Sequence, residues 1–194
     1  MTTVTLQDRQ DIADLMTGWM YRDTGDWTGL AGLFHEGATI KVTWFDGLAE
    51  EFIRRSQRMG GSNLETKHVV TAPVVRFNDD RAIAETNAMI VAQNASLGLG
   101  AVSHNRFYDR IERRNGVWKI VQRDSIYDFG AFEFPLGPVA IDGDAARRFP
   151  IAYAPLAYLL EVSGYPVVGA FATKGDDLEA SLKREGQAWL DGAA

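Results

Sequence analysis

The chain has 194 residues, 46% hydrophobic and 24% charged, enough for one well-buried core and too few for two ordinary domains. Its formal charge is −6 and its twenty Lys and Arg are scattered with no basic stripe, so no nucleic-acid partner is expected. The absence of cysteine excludes disulfides, thiolate catalysis and Cys-based metal centres.

The N-terminus lacks the basic and apolar regions of a secretory signal, and a cytoplasmic location is expected. Between residues 6 and 23, Ile12, Leu15, Met16, Trp19 and Met20 recur at helical spacing and predict an amphipathic helix. Asp26 is placed to N-cap a second, short helix carrying Trp27, Leu30, Leu33 and Phe34, which Gly37 is expected to close. Residues 38–45 alternate, with Ile40, Val42 and Trp44 on one side, as a strand does. Leu48, Phe52, Ile53 and Ser56 then predict a third helix ending near Gly60.

Four β-rich runs follow, 68–77, 82–93, 103–113 and 117–127, parted by turn signals at Asn78-Asp79-Asp80, Gly98 to Gly100 and Asn115-Gly116. Short joins of this kind predict an antiparallel meander. Helices first and a curled sheet afterwards is an α+β layout, with the helices on one face and a pocket between. Residues 130–143 read as a linker, and 151–162 and 176–190 as two more helices. The last of these opens on Asp176 with Glu179 three positions on, the pattern of a capping box. The longest apolar stretch, 149–160, contains Pro150 and Pro155 and falls short of the roughly 20 residues of a membrane span. No membrane partner is expected. The chain thus divides into a domain over 1–132 and a helical extension over 133–194.

Asp23 falls at about 20° from Ile12 on a helical wheel, within the apolar stripe of Leu15, Met16 and Trp19. A carboxylate there needs water or a polar partner, because burying it alone costs several kcal/mol; a turn or cap residue is the plain alternative. His68 is an isolated titratable group in the run VVTAPVV that follows it. Imidazole titrates near pH 6.5, and a carboxylate on one ring nitrogen would leave the other free as a general base. Without an acid partner, it reads as a satisfied core residue. His35 reads as a solvated helix end, and His104 as part of an outward or interface face with Arg106 and Arg110. The opposite parity, Asn105, Phe107 and Ile111, reads as the pocket side. No spacing supports a metal site.

The segments RDTGDW at 22–27, ETKHVV at 65–70 and NRFYDRIERRNGVWKIVQR at 105–123 resemble the SnoaL-like branch of the nuclear transport factor two-like superfamily. That branch includes scytalone dehydratase, hexachlorocyclohexane dehydrochlorinase and polyketide cyclases. The resemblance implies a cone-shaped domain with a mixed, mainly antiparallel sheet, binding of a small hydrophobic molecule, no cofactor, and a homo-oligomer, dimer or trimer. It also pairs Asp23 with His68, matches Arg123 to an active-site arginine, and places Met59, Met89 and Val91 in the pocket wall. Arg123 also reads as a surface strand residue. The chain departs from the dehydrochlorinase at Gly18, where a catalytic lysine stands, and from the dehydratase at Arg22, where a tyrosine stands. The dehydratase's second histidine falls near Ala92 or Gln93. Neither substrate carries over.

The leading expectation is a cofactor-free lyase or isomerase in which His68, oriented by Asp23, removes a proton next to a carbonyl or leaving group. Asn87, Gln93, Asn105, Arg123 and Tyr127 are the candidate contacts to substrate oxygen; Trp19, Trp44, Met59, Met89, Val91 and Phe107 are the candidate walls, suited to an aromatic or polyketide-like compound. The alternative is a non-catalytic binding or assembly module resembling the small subunit of ring-hydroxylating dioxygenases. The extension carries apolar stripes, Tyr153, Leu156, Leu159 and Leu160, then Leu178, Leu182 and Trp189. These are expected to pack on the domain or on a neighbouring subunit.

Overall fold

Thr5 accepts a hydrogen bond from the Asp8 backbone, and the Asp8 carboxylate returns to Thr5 N, a capping box that opens α1 (Leu6–Thr17). In the computed structural model, which describes residues 4–192, the expected single helix to residue 23 is two: α1 and α2 (Met20–Thr24). Gly18 and Trp19 between them keep right-handed helical angles, φ −59° and −55°, so Asp23 stays on the buried side. A Cβ at Gly18 would come within 2.6 Å of Leu33 Cδ2, so the glycine admits Leu33 against the bend.

Asp26 caps α3 (Trp27–Gly32) through Gly29 N at 2.8 Å. This helix is shorter than expected. Phe34, His35 and Glu36 belong to β1 (Phe34–Val42) because Phe34 pairs with Ile120, a tertiary contact that overrides the local helical pattern. Gly37, at φ 76°, lies in the register shift between Phe34 and Thr39 rather than at a helix end. β2 (Phe45–Leu48) and α4 (Ala49–Met59) follow, then β3 (Leu64–Val70), β4 (Val74–Asn78), β5 (Arg81–Asn94), β6 (Leu99–Arg114) and β7 (Val117–Glu133).

The sheet order is β2-β1-β7-β6-β5-β3, with β4 beside β5. β1 and β7 are parallel and the other pairs antiparallel, so the sheet is mixed. The run expected as one strand over 68–77 breaks around Pro73, which has no N–H to give a ladder; His68 pairs with Ile90 and Val75 with Ala84 on the two sides of the break. Residues 130–133 continue β7 instead of forming a linker. Gly130 pairs with Ser103, where a Cβ would sit 2.8 Å from Val102 O.

On the inner face, Ala82, Ala84 and Ala88 of β5 leave room for Ile12, Met16, Trp19, Leu30 and Phe52 to pack against Phe107, Ile111 and Trp118. Each large apolar side chain buried this way contributes about 1.5–3 kcal/mol. The rest of the chain wraps this core. α5 (Gly143–Ala146) leads into α6 (Ala154–Val162), whose residues Ala154, Leu156, Ala157, Leu159 and Leu160 are buried with Tyr127 and Tyr153. α7 (Asp177–Leu190) lies on the outer face, where Leu190 packs with Ile83, Tyr108 and Ile126. Asn78 Nδ2 donates to Leu190 O at 2.8 Å, Arg81 to Trp189 O at 2.6 Å, and Arg106 to Glu179 at 2.7 Å. Asp176 caps α7 through Glu179 N, but Glu179 accepts from Gly175 N, so the capping box is half formed. Among the described residues, no helix is long and apolar enough to cross a membrane.

Candidate active site

α2 brings Asp23 to His68 in the second half of the edge strand β3. Asp23 Oδ1 lies 2.6 Å from His68 Nδ1, and Asp23 Oδ2 accepts from the His68 backbone N at 2.7 Å. The two contacts fix one carboxylate to one residue at two points, setting the ring's orientation as well as its tautomer. The carboxylate side chain is 0% exposed and the imidazole 6%. Burial pushes the Asp23 carboxyl up, but the hydrogen bonds from His68 and the charges of His68 and Arg22 outweigh it and hold it below the usual carboxylate range. His68 is held below its usual value by burial, with Arg22 and Arg123 adding to the effect against the opposing Asp23 hydrogen bond. The pair is therefore an ionised carboxylate and a neutral imidazole, with Nε2 left to act.

His68 lines an inner cavity with Trp19, Trp44, Phe52, Met59, Phe107 and Tyr127, closed on the tail side by Leu156 and Leu160. Trp19 meets the imidazole edge-on at 5.8 Å. The cavity measures ≈ 30 Å³, room for about one water. Tyr127 Oη accepts from Thr43 N at 3.1 Å and lies 3.2 Å from Thr43 Oγ1. Burial raises the Tyr127 phenol above its usual value, against the bonds from Thr43, so it stays protonated. Asn105 shares the inner face with Phe107, one row from the His68 and Ser103 level. Neither amide atom of Asn105, nor Ser103 Oγ, is hydrogen-bonded by the chain, although all are buried.

Other expected site residues lie elsewhere. Asn87, Met89, Val91 and Gln93 occupy the odd-numbered positions of β5, whose even-numbered positions Ala82, Ala84 and Ala88 face the core; strand alternation turns the four outward. Met89 pairs with His104, which stacks on Phe129 at 4.3 Å. Val91 and Gln93 instead line a groove of ≈ 530 Å³ running from the outer sheet edge to α2 and α4. Arg123 is buried one level below the cavity, bound by both Asp109 oxygens at 2.7 and 2.8 Å. His35 is not at a helix end; its Nε2 is 3.0 Å from Glu112 O. Sequence reasoning did not single out Thr43, Phe52, Thr66, Ile90 or Ser125 as lining candidates. Thr66, two positions before His68 on the same strand face, was available from parity alone. Among the described residues, no group of three or more His, Asp or Glu is placed to hold a metal.

A helix-wrapped curved sheet with a polar pair at the mouth of an apolar interior defines a cone-fold protein. Solved structures of that class include a putative scytalone dehydratase from Novosphingobium aromaticivorans, 15% identical with a TM-score of 0.56 over 70% of this chain and 97% of that one. A type 2 hexachlorocyclohexane dehydrochlorinase gives 17% identity and a TM-score of 0.61 over 71% of this chain and 96% of that one. The SnoaL-like domain model matches residues 4–124, and the chain belongs to that family, within the nuclear transport factor two-like fold. Among curated proteins it is similar to pea pathogenicity protein 2 of Fusarium vanettenii, at 27% identity over 80% of this chain and 70% of the relative. A PEP2-like protein of the same fungus is 24% identical over 95% of this chain and 86% of its own length.

Proposed function

We propose that this protein is a lyase or isomerase acting on a small hydrophobic, aromatic or polyketide-like compound through side chains alone. The observation that carries the reading is the two-point clamp of Asp23 on His68, which holds a neutral imidazole with one nitrogen available. His68 Nε2 takes a proton from carbon beside a carbonyl, and the C–H electrons move to form an enolate. The enolate then expels the hydroxyl of the neighbouring carbon, which leaves as water with the proton returned by the His68 imidazolium, or is reprotonated by that imidazolium at another carbon. Asp23 stabilises the imidazolium formed on the way. Asn105, Ser103 and Tyr127 are the donors proposed for the enolate oxygen; the unspent hydrogen-bonding capacity of Asn105 and Ser103 costs about 1–3 kcal/mol per group until a ligand meets it. The dehydratase and dehydrochlorinase among the structural neighbours are consistent with elimination.

The test needs no knowledge of the natural substrate. In D₂O, 2-tetralone should exchange its α-protons faster with the protein than without it, as read by NMR. Asp23→Asn should lose about 10²–10⁴ of that rate. Exchange by the wild type no faster than by His68→Ala would overturn the reading.

A second reading, a non-catalytic binding or assembly module, is favoured by the ≈ 30 Å³ cavity, which side chains nearly fill. A homo-oligomer, dimer or trimer, belongs to both readings. The outer row of Val69, Met89, His104 and Phe129, apolar but for the imidazole, with Val69 51% and Phe129 59% exposed, supports it.

A further inference from the structure

The buried arginines of this chain are almost all spent on carboxylates. Arg123 takes both oxygens of Asp109, Arg106 is bound by Asp128, Glu85 and Glu179, and Arg113 by Asp8 and Asp80. Arg110 and Arg22 are the exceptions: Arg110, 16% exposed, has Glu185 no nearer than 4.0 Å and lies over the Trp189 ring on the outer face, whereas Arg22 stands beside the candidate site. The Arg22 side chain is 7% exposed, and its hydrogen bonds go to Thr66 Oγ1 at 2.7 Å and Met59 Sδ at 3.5 Å, a neutral and a weak acceptor. The neighbouring Asp23 carboxylate is 3.9 Å away, beyond hydrogen-bonding distance, with both oxygens already committed to His68. A guanidinium taken out of water without a hydrogen-bonded carboxylate is under-compensated, and its planar fork matches a pair of carboxylate oxygens.

Its position gives that mismatch a use. Arg22, Met59 and Thr66 line both the ≈ 30 Å³ inner cavity and the ≈ 530 Å³ outer groove, so these side chains form the partition between the two. We propose that Arg22 is a specificity-determining residue that selects apolar carboxylic acids. The acid enters by the groove, its carboxylate draws Arg22 away from Thr66 and Met59, and its apolar body occupies the joined space beside Trp19, Trp44 and Phe52. Of the other charged groups in the groove, Asp23 has both oxygens on His68, Lys67 adds positive charge, and Glu65 is engaged by Gln93 Nε2 at 3.0 Å. Burial lowers the Arg22 guanidinium to about 10, against the charge of Asp23, which leaves it cationic at neutral pH. The inference deepens the proposed function by naming its substrate class; it rests on the cavity as a ligand site and not on the proton transfer.

The test pairs 2-naphthoate with its neutral amide, 2-naphthamide, each titrated against the full chain by quenching of tryptophan emission. The wild type should bind the acid at least about tenfold more tightly than the amide, as a charge-assisted bidentate contact implies. In Arg22→Met the acid should fall to the affinity of the amide while the amide is unchanged, Arg22→Lys should keep part of the preference, and Lys67→Met, which removes an exposed and solvent-screened charge, should keep most of it. Equal affinities in the wild type, a preference that survives Arg22→Met or vanishes with Lys67→Met, or no saturable binding of the acid would each overturn the proposal. Loss of tetralone exchange with the acid preference intact would count against the dyad chemistry alone. Exchange without the preference would count against Arg22 alone.

Discussion

Arg123 and Arg22 flank the same histidine and are both withdrawn from water, yet they are held in opposite ways. Arg123 is 0% exposed, sandwiched with its Cζ 4.5 Å from the Trp19 ring and 4.3 Å from the Phe107 ring, and bidentate on Asp109 through Nε and Nη2, its Nη1 alone lacking a hydrogen bond among the described residues. Arg22 has a looser aromatic neighbour, Phe52 at 5.9 Å, and no carboxylate within hydrogen-bonding distance. The difference teaches that burial alone does not assign a role. A cation whose fork is filled by its own chain is part of the scaffold, and one whose fork is not is poised for something outside it.

The largest expected effect falls on the filled fork. Asp109→Ala strands the Arg123 cation in the core and should cost about 3–5 kcal/mol in urea unfolding; a loss below about 1 kcal/mol would place Arg123 in the same category as Arg22. By the same measurement Arg22→Met should lie within about 1 kcal/mol of the wild type, because a poorly paired buried charge gives way to an apolar chain of similar reach. A loss as large as that of Asp109→Ala would erase the distinction.

The smallest effect is a titration. Burial and the two arginines hold His68 low, so its contribution to stability is present above the ordinary imidazole value near 6.5. It is lost as pH falls below that value, because the unfolded chain takes up a proton that the folded one refuses. Arg22→Met removes one of the two positive charges and should move the His68 ring titration upward in NMR. A ring titration that stayed in place would show that solvent screens the guanidinium.

The sequence made the inward side of the first helix and of β6 legible, because Asp23 interrupts an apolar stripe and Asn105, Phe107 and Ile111 keep strict alternation. The Asp23 to His68 pairing was not readable from spacing; it came from the family resemblance, since residues 45 positions apart meet only through the fold. β5 misled because its apolar residues lie on both parities: Ile83 meets α7 on the outer face while Ala82 and Ala84 meet the helices on the inner one. A strand covered on both sides offers no alternation to read, and so nothing in the local pattern stood against the wall positions that the family resemblance gave Met89 and Val91. The ends of β1 were hidden for a related reason. Phe34 is extended because β7 lies beside it, and nothing in the local pattern shows that neighbour.

β7 runs to Glu133, nine residues past the last one matched by the SnoaL-like model, Asp124. The boundary that family likeness draws and the boundary that the hydrogen bonds draw are therefore different places. A fragment cut at the first would end the strand halfway, before Tyr127 reaches Thr43 and before its backbone meets Ala172 and Lys174. It would also leave β6 from Gly100 to Phe107 without the partner that covers it, a bare ladder edge open to any other chain. For anyone dissecting this protein, Asp124 is no place to cut, and since Tyr127 meets Ala172 and Lys174, the residues beyond the last rung at Glu133 belong with the sheet as well.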